Sequence, residues 1–464
     1  MNRLIPVTQV VTNSPPNHVS DKIYPRSFSG IYRQIRIAAG SMLFALYFGT
    51  VWLNWGGRQA VLWDLADKKF HIFGATYWPE DLFLLSGILI ICAFGLFFIT
   101  VLAGRVWCGY ACPQSVWMWV FLWAEKLAEG DRRQRMKLDD AAFSQEKAVR
   151  RLLKHCLWLL ISAATAVTFV GYFTPIRDLV PDLLSLELSG GVFFWVFFFT
   201  AATYVNAGWF REKVCFHMCP YGRFQSSMVD NDSLVVAYDA GRGDPRGSRR
   251  KDADPAAMGL GDCIDCEMCV QVCPTGIDIR DGLQMECIGC AACIDACDSI
   301  MDKMGYQKGL VRYASDNELN NGMKNLIRPR LVAYFFILVT MIGLFSWVLM
   351  TRPLMSLEIE RDRGLFRYNG SGNIENSYLL SLTNKATEMR SAFIRVSGAG
   401  GINMSGLDEV KLRAGEKREI PIILEKAPAS LQGEVTNITF EVSTSAEPEK
   451  RVAAPTTFLG PVFR

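Results

Sequence analysis

Between Cys263 and Cys297 the chain carries eight of its fourteen cysteines, in the runs Cys263-x-x-Cys266-x-x-Cys269-x-x-x-Cys273 and Cys287-x-x-Cys290-x-x-Cys293-x-x-x-Cys297. This is bacterial ferredoxin spacing. A 4Fe-4S cluster takes four thiolates around a compact cuboid; each close-spaced run supplies three, and the fourth comes from the other motif. Cys263, Cys266, Cys269 and Cys297 are therefore expected to hold one cluster, and Cys287, Cys290, Cys293 and Cys273 the second. Thiolates at CxxC spacing also suit zinc, but two complete four-cysteine runs are far more specific to clusters. Pro274 follows Cys273 whereas Asp298 follows Cys297, a departure that bears on the turn and the potential and not on the ligand count. The implied chemistry is electron transfer.

A second pattern occurs twice, as Cys108-Gly109-Tyr110-Ala111-Cys112-Pro113 and Cys215-Phe216-His217-Met218-Cys219-Pro220. Cysteines four apart share a helix face, and the proline lets a helix stop and start again there. Soft thiolates suit Cu(I) and iron–sulfur chemistry, and His217 and Met218 add two copper-compatible side chains. Inert thiols that pack helix ends would explain one such pair. Two matching pairs beside two cluster motifs favour one shared thiol site of Cys108, Cys112, Cys215 and Cys219. Arg105, Arg211 and Lys213 precede the motifs, and positive neighbours favour the thiolate. Metal binding and disulfide formation both stay open for these four. Cys92 and Cys156 are unpaired in sequence and read as packing residues.

The elements that must position this chemistry are apolar. Half of the 464 residues are hydrophobic, and five runs, at residues 37–55, 82–103, 157–173, 192–210 and 331–350, approach the about 20 residues a helix needs to cross a bilayer. A sixth run, 116–123, is too short to span and is expected at the interface, with Trp117, Trp119 and Trp123 at headgroup depth. The loop 104–156 holds ten basic residues and 211–330 is also basic, whereas 56–81 holds only Arg58, Lys68 and Lys69. The excess of Lys and Arg marks the cytoplasmic side, so the N-terminus and clusters are expected inside and the C-terminus in the periplasm of a bacterial inner membrane. Cluster ligands must stay reduced, which suits that side.

The organisation expected is a polar cytoplasmic tail at 1–36 without the features of a signal peptide, a membrane core at 37–230, a linker at 231–262, a two-cluster domain at 263–330, a fifth span at 331–350, and an outer domain at 353–464. Residues 239–254 are rich in Gly, Pro and Arg and read as a loop, with Arg249-Arg250-Lys251 as a solvated turn. The last region lacks Cys and His, and alternates apolar and polar residues in stretches such as Leu357-Glu358-Ile359-Glu360 and Ile438-Thr439-Phe440-Glu441-Val442. Period-two alternation over such a length suggests an immunoglobulin-like sandwich. The fold class is thus an α-helical membrane protein with five transmembrane helices, an inserted cytoplasmic α+β double-cluster ferredoxin domain, and a C-terminal all-β sandwich.

Some classes are excluded. A net charge of +3 is too small for a nucleic-acid binder. The only histidines are His18, His71, His155 and His217; no span carries two, which argues against a transmembrane bis-histidine haem. No GxxxxGK[ST] loop is present, so this is no ATP-driven pump.

The two CxxxCP motifs on an apolar core, the double ferredoxin motif before the last span and the outer sandwich together resemble the FixG/RdxA/CcoG family. The loop Trp55-Gly56-Gly57-Arg58, with Lys69-Phe70-His71 and Trp78-Pro79, is similar too, and the resemblance covers nearly the whole chain. NapH and NosR are similar over the membrane core and cluster domain but not over the sandwich. The resemblance implies two 4Fe-4S clusters and an accessory role in assembling cbb3-type cytochrome c oxidase. It also implies copper as substrate of a cupric metalloreductase, oxidase subunits or copper-delivery proteins as partners, and a cytoplasmic electron donor that the sequence does not identify. Two other readings stand beside it. One is a quinol-linked electron conduit with Arg58, His71 and Asp64 near an outer quinone site, although these residues equally suit interface anchors. The other is an assembly scaffold gripping its partners through the sandwich.

Overall fold

The computed structural model describes residues 22–461 apart from 256, 323, 324, 326, 363, 365, 387, 399, 432 and 445–450; His18 lies outside the described residues. The chain divides into two units, residues 1–53 with 86–343, and residues 54–85 with 344–464.

The long helices are α1 (Ile31–Thr50), α2 (Leu82–Ala103), α5 (Gln145–Val170), α6 (Gly190–Thr203) and α10 (Pro329–Thr351). Among the described residues four helices are long and apolar enough to cross a membrane: Pro79–Ala103, Gln145–Val170, Gly190–Phe210 and Pro329–Thr351. Of the five expected spans, α1 falls outside that set because Arg33 and Arg36 occupy its first turns. Arg36 is buried and donates from Nη1 to the carbonyl of Cys290 at 3.1 Å, so its charge faces protein.

The short run 116–123 is the middle of a longer helix, α4 (Pro113–Glu129). This helix packs one face inside the unit. Met118, Phe121 and Ala124 are fully buried, and Phe121 meets Trp158 of α5 with ring centroids 5.5 Å apart. Trp117 donates to Thr165 Oγ1 at 2.9 Å, and only Trp123 is well exposed. Two buried carboxylates extend α4. Glu125 pairs with Arg135 at 3.0 Å and with Arg211, and Glu129 pairs with Lys154 at 2.8 Å. Removing one member of such a cluster leaves an uncompensated buried charge, at a cost of about 3–5 kcal/mol.

The residues expected as a polar tail are strapped to the domain from Lys22 onward. Arg26 N donates to the carbonyl of Gln271 at 2.7 Å, and the buried Asp295 accepts from Tyr32 N and Arg33 N at 3.2 and 2.8 Å. A carboxylate there satisfies open N–H groups at the start of α1. The stretch expected as a linker is fastened as well. Val235–Tyr238 pairs antiparallel with Val311–Ala314 and closes the cluster domain. Arg242 holds Asp262 at 2.6 Å. Arg249, expected in a solvated turn, donates to Tyr306 Oη at 3.0 Å and to the carbonyl of Cys263 at 3.3 Å.

In the second unit, Val61–Asp64, Lys69–Ile72 and Ala75–Tyr77 form a small antiparallel sheet. Just after it, the buried Asp81 accepts from Lys385 Nζ at 3.1 Å and from Arg352 at 3.3 Å. The C-terminal domain is a two-sheet sandwich. One sheet runs Ile402–Ser405, Lys417–Lys426, Ile374–Asn384, Met355–Arg361; the other runs Glu409–Leu412, Arg390–Ser397, Val435–Thr444, Val452–Leu459. Inward residues of both sheets, among them Leu380, Ile394, Ile422, Phe440 and Phe458, are buried together as its core. Strand alternation puts every second side chain there.

Candidate functional site

The two ferredoxin loops share one backbone. Asp265 and Glu267 in the first have φ of 53° and 54°, and Gly289 and Ala291 at the matching places in the second have φ of 65° and 58°. Left-handed conformations at non-glycine residues cost about 1–2 kcal/mol each and persist only where the surroundings impose them. Each loop then enters a helix, α8 (Met268–Gln271) after the first and α9 (Ala292–Met304) after the second.

The cysteines sort into two adjoining cavities. Cys263, Cys266, Cys269 and Cys297 line one; Cys273, Cys287, Cys290 and Cys293 line the other, where Cys269 also reaches the wall. Helix α9 carries Cys293 to one cavity and Cys297, one turn on, to the other. Cys269 and Cys273 divide in the same way around α8. Asp298 is explained by this arrangement: Cys297 lies inside a continuing helix, where proline would cost about 3 kcal/mol, and Asp298 instead accepts from Gly309 N at 2.9 Å. Cys273 lies just beyond its helix, so Pro274 is tolerated.

These residues fit iron–sulfur clusters. Burial first, then neighbouring thiols or acidic groups, pushes Cys269, Cys287 and Cys297 up to about 12 and raises Cys273 and Cys293. Only bound cations would hold such a crowd as thiolates. Among the described residues no three Cys, His, Asp or Glu side chains converge as a single metal ion requires, the four CxxxCP cysteines included. Arg280 borders the first cavity, tied to Asp278 and Asp265 at 2.6 and 2.5 Å.

The CxxxCP motifs also repeat one geometry. Cys108 lies in the short helix α3 (Val106–Tyr110), and Cys112 is the N-cap of α4, with Pro113 at its first position. After α6 the chain runs through the π-helical turns Tyr204–Phe210 and Val214–Met218. Cys219 then caps α7 (Pro220–Ser226), again with proline first. Cys112 N donates to the carbonyl of Trp107 at 2.9 Å and Cys219 N to that of Val214 at 2.8 Å, both five residues back. Proline at the first helical position loses no needed donor, and π-turns often mark functional sites.

The four thiols come within electrostatic reach of one another. Cys108 senses Cys112, Cys215 and Cys219, and burial, outweighing Arg105, pushes it up to about 12. Cys215 is pushed to about 12 chiefly by burial, then by Cys112 and Cys219. The expected activation by basic neighbours is therefore outweighed, and Arg211 is turned away to Glu125 and the carbonyl of Gly208. His217 and Met218 are exposed. None of the cysteines is disulfide-bonded among the described residues, and Cys92 and Cys156 are exposed on their helices instead of packed.

This quartet abuts the second cavity. A Cβ built on Gly109 would lie 2.7 Å from the carbonyl oxygen of Gly289. Arg105 donates to the carbonyls of Met285, of Cys287 at 3.2 Å and of Gly222 at 2.8 Å, joining the cluster loop to α7. Gln225, fully buried, donates to the carbonyl of Gly104 at 2.7 Å and lies 3.9 Å from Cys108 Sγ. Gln114 donates to the carbonyls of Asn206 and Arg211, both at 3.0 Å. Sequence reasoning missed Gln114 and Gln225; the only signal for either was a polar residue within a turn or two of a CxxxCP motif. Arg58 and His71 meet in the second unit, with Arg58 Nη1 2.5 Å from His71 Nδ1, while Asp64 accepts from Asp67 N.

Residues 210–316 match the family of 4Fe-4S dicluster domains, and residues 345–461 match the IG-like fold at the C-terminal of FixG. The chain is 36% identical over 442 residues to the nitrogen fixation protein FixG of Rhizobium meliloti, covering 87% of this chain and 84% of the relative. It is 37% identical over 449 residues to protein RdxA of Cereibacter sphaeroides, covering 92% and 94%. A crystal structure of a FixG-related protein from Vibrio parahaemolyticus is similar at 22% identity over 23% of this chain and 96% of its own, with a TM-score of 0.22.

Proposed function

From a chain that belongs to the FixG/RdxA family, and is a membrane iron–sulfur electron-transfer protein, we propose a cupric reductase that yields Cu(I) for assembly of a cbb3-type cytochrome c oxidase. The observation that carries this reading is the thiol quartet packed against the Cys287–Cys290 loop through Gly109 and Arg105.

In this reading Cys263, Cys266, Cys269 and Cys297 hold one 4Fe-4S cluster and Cys273, Cys287, Cys290 and Cys293 the other. When bound, the clusters supply one-electron transfer, which matches the Cu(II)/Cu(I) couple. Cys108, Cys112, Cys215 and Cys219 take copper as substrate. The Cys108 and Cys215 thiols are held neutral by burial and release protons as the ion binds; thiolate softness favours Cu(I), the product. Arg105 and Gln225 keep the two CxxxCP segments in register with each other and with the cluster loop.

The membrane arrangement belongs to the same proposal. Helix α1 joins the four apolar helices as a fifth span, the more basic segments with the cluster domain lie in the cytoplasm, and the sandwich docks oxidase subunits or copper-delivery proteins in the periplasm. Anaerobic reduction of the purified protein followed by addition of Cu(II) tests the chemistry. Rapid return of the oxidised-cluster absorbance with formation of Cu(I) is expected, and a spectrum indifferent to Cu(II) would refute it.

A further inference from the structure

A cavity of about 750 Å³ lies between α1, α4 and α5, within the range of small-molecule sites. Its long wall is apolar, formed by Gly40, Phe44, Phe48, Val120 and Ile161. Its other end is aromatic and polar, where Phe28, Trp119 and Arg36 meet, and Ser41 also lines the cavity. The Arg36 guanidinium lies 4.0 Å from the Trp119 ring centroid, and Phe28 meets Trp119 edge-on at 6.3 Å. Through Arg36 Nη1 this end is one hydrogen bond from the backbone of Cys290.

The shape calls for a molecule with a planar polar head and an apolar tail. Of the cations that line the mouth, Lys126 pairs with Asp131 at 3.3 Å and Arg135 with Glu125 at 3.0 Å, while Arg26 donates to the neutral Met268 sulfur at 2.9 Å and Arg33 also borders the cavity. A neutral ring bearing carbonyl acceptors suits the aromatic wall and the Ser41 hydroxyl, and a redox-active ring suits a place beside a cluster ligand. We propose that this groove binds an isoprenoid quinone, with the ring at Trp119 and Arg36 and the tail along Phe44 and Ile161. The site goes beyond the copper reading and uses none of the four CxxxCP thiols.

The test uses the full chain, with its iron, in nanodiscs of defined phospholipid. A photoreactive azidobenzoquinone with a decyl tail is irradiated and its adducts are mapped by mass spectrometry. Labelling is expected on residues 37–48 and 116–123, to be suppressed by excess unlabelled decylbenzoquinone but not by added phospholipid. It should be lost in Ser41→Trp and in Val120→Phe, which fill the groove from different helices, at unchanged iron content. Adducts elsewhere, equal suppression by phospholipid, or full labelling in both variants would overturn the proposal.

Discussion

Gly109 and Cys290 meet with no room for a side chain between them: a Cβ at Gly109 would lie 2.9 Å from the Cα of Cys290. The first CxxxCP motif thus presses its backbone onto a residue of the second cluster cavity, and Cys108 packs in the same apolar cluster as Cys290 and Ile288. Any change in one segment is transmitted to the other, because neither backbone can yield cheaply.

Gly109→Ala is expected to destabilise the protein even though alanine is the better helix former by about 1 kcal/mol. The added methyl meets backbone atoms, and overpacking of that kind typically costs about 1–3 kcal/mol. A lower melting temperature with reduced iron content checks this; an unchanged melt would mean that the contact is looser than described.

Two clusters correspond to about eight iron per chain. Cys266→Ser should lower the iron bound at the first cavity and Cys290→Ser that at the second, each leaving the other cluster's electron paramagnetic resonance signal in place. Loss of both signals from either single change would contradict two separate ligand sets, as would zinc in anaerobically prepared protein.

The cysteine spacing was the most legible part of the chain, because loop length and ligand order are encoded locally. What joins the sites was not. Arg105 reads in sequence as a charge near a thiol, yet its hydrogen bonds run to carbonyls more than a hundred residues away, and no local pattern announces a backbone acceptor. Helix α4 was underestimated for a related reason. Glu125 and Glu129 end its apolar run on paper, but in the fold Arg135, Arg211 and Lys154 neutralise them. In the sandwich, strands with clear alternation such as those holding Leu357–Glu360 and Ile438–Val442 were legible. Ile402–Ser405 and Glu409–Leu412 are only four residues each, and Val452–Leu459 carries Pro455 and two threonines that blur its period.

Burial, then Arg58 and Lys69, lowers the His71 pKa from 6.5 to about 4. Between those values the unfolded chain binds a proton that folded His71 does not, so stability rises with pH across that window and falls as the pH drops through it. Replacing His71 with Gln should flatten the dependence of melting temperature on pH between about 4 and 6.5 relative to wild type. Parallel curves for the two proteins would show that His71 is not held neutral.

Membrane orientation can be read with a reporter active only in the periplasm. Fused at the C-terminus it should be active, and fused after Asp239 it should be silent. The opposite pattern would mean that α1 does not span, leaving four crossings.

The claim that matters most is that Cys108, Cys112, Cys215 and Cys219 act on copper as one site, and a set of cysteine-to-serine variants measures it. Each protein is reduced anaerobically, matched for iron, mixed with Cu(II) and followed by stopped flow. Changing Cys108 and Cys112 should slow reoxidation as severely as changing Cys215 and Cys219, and changing all four should add nothing. Additive losses, or full copper reduction by the quadruple variant with its clusters intact, would contradict a shared copper site.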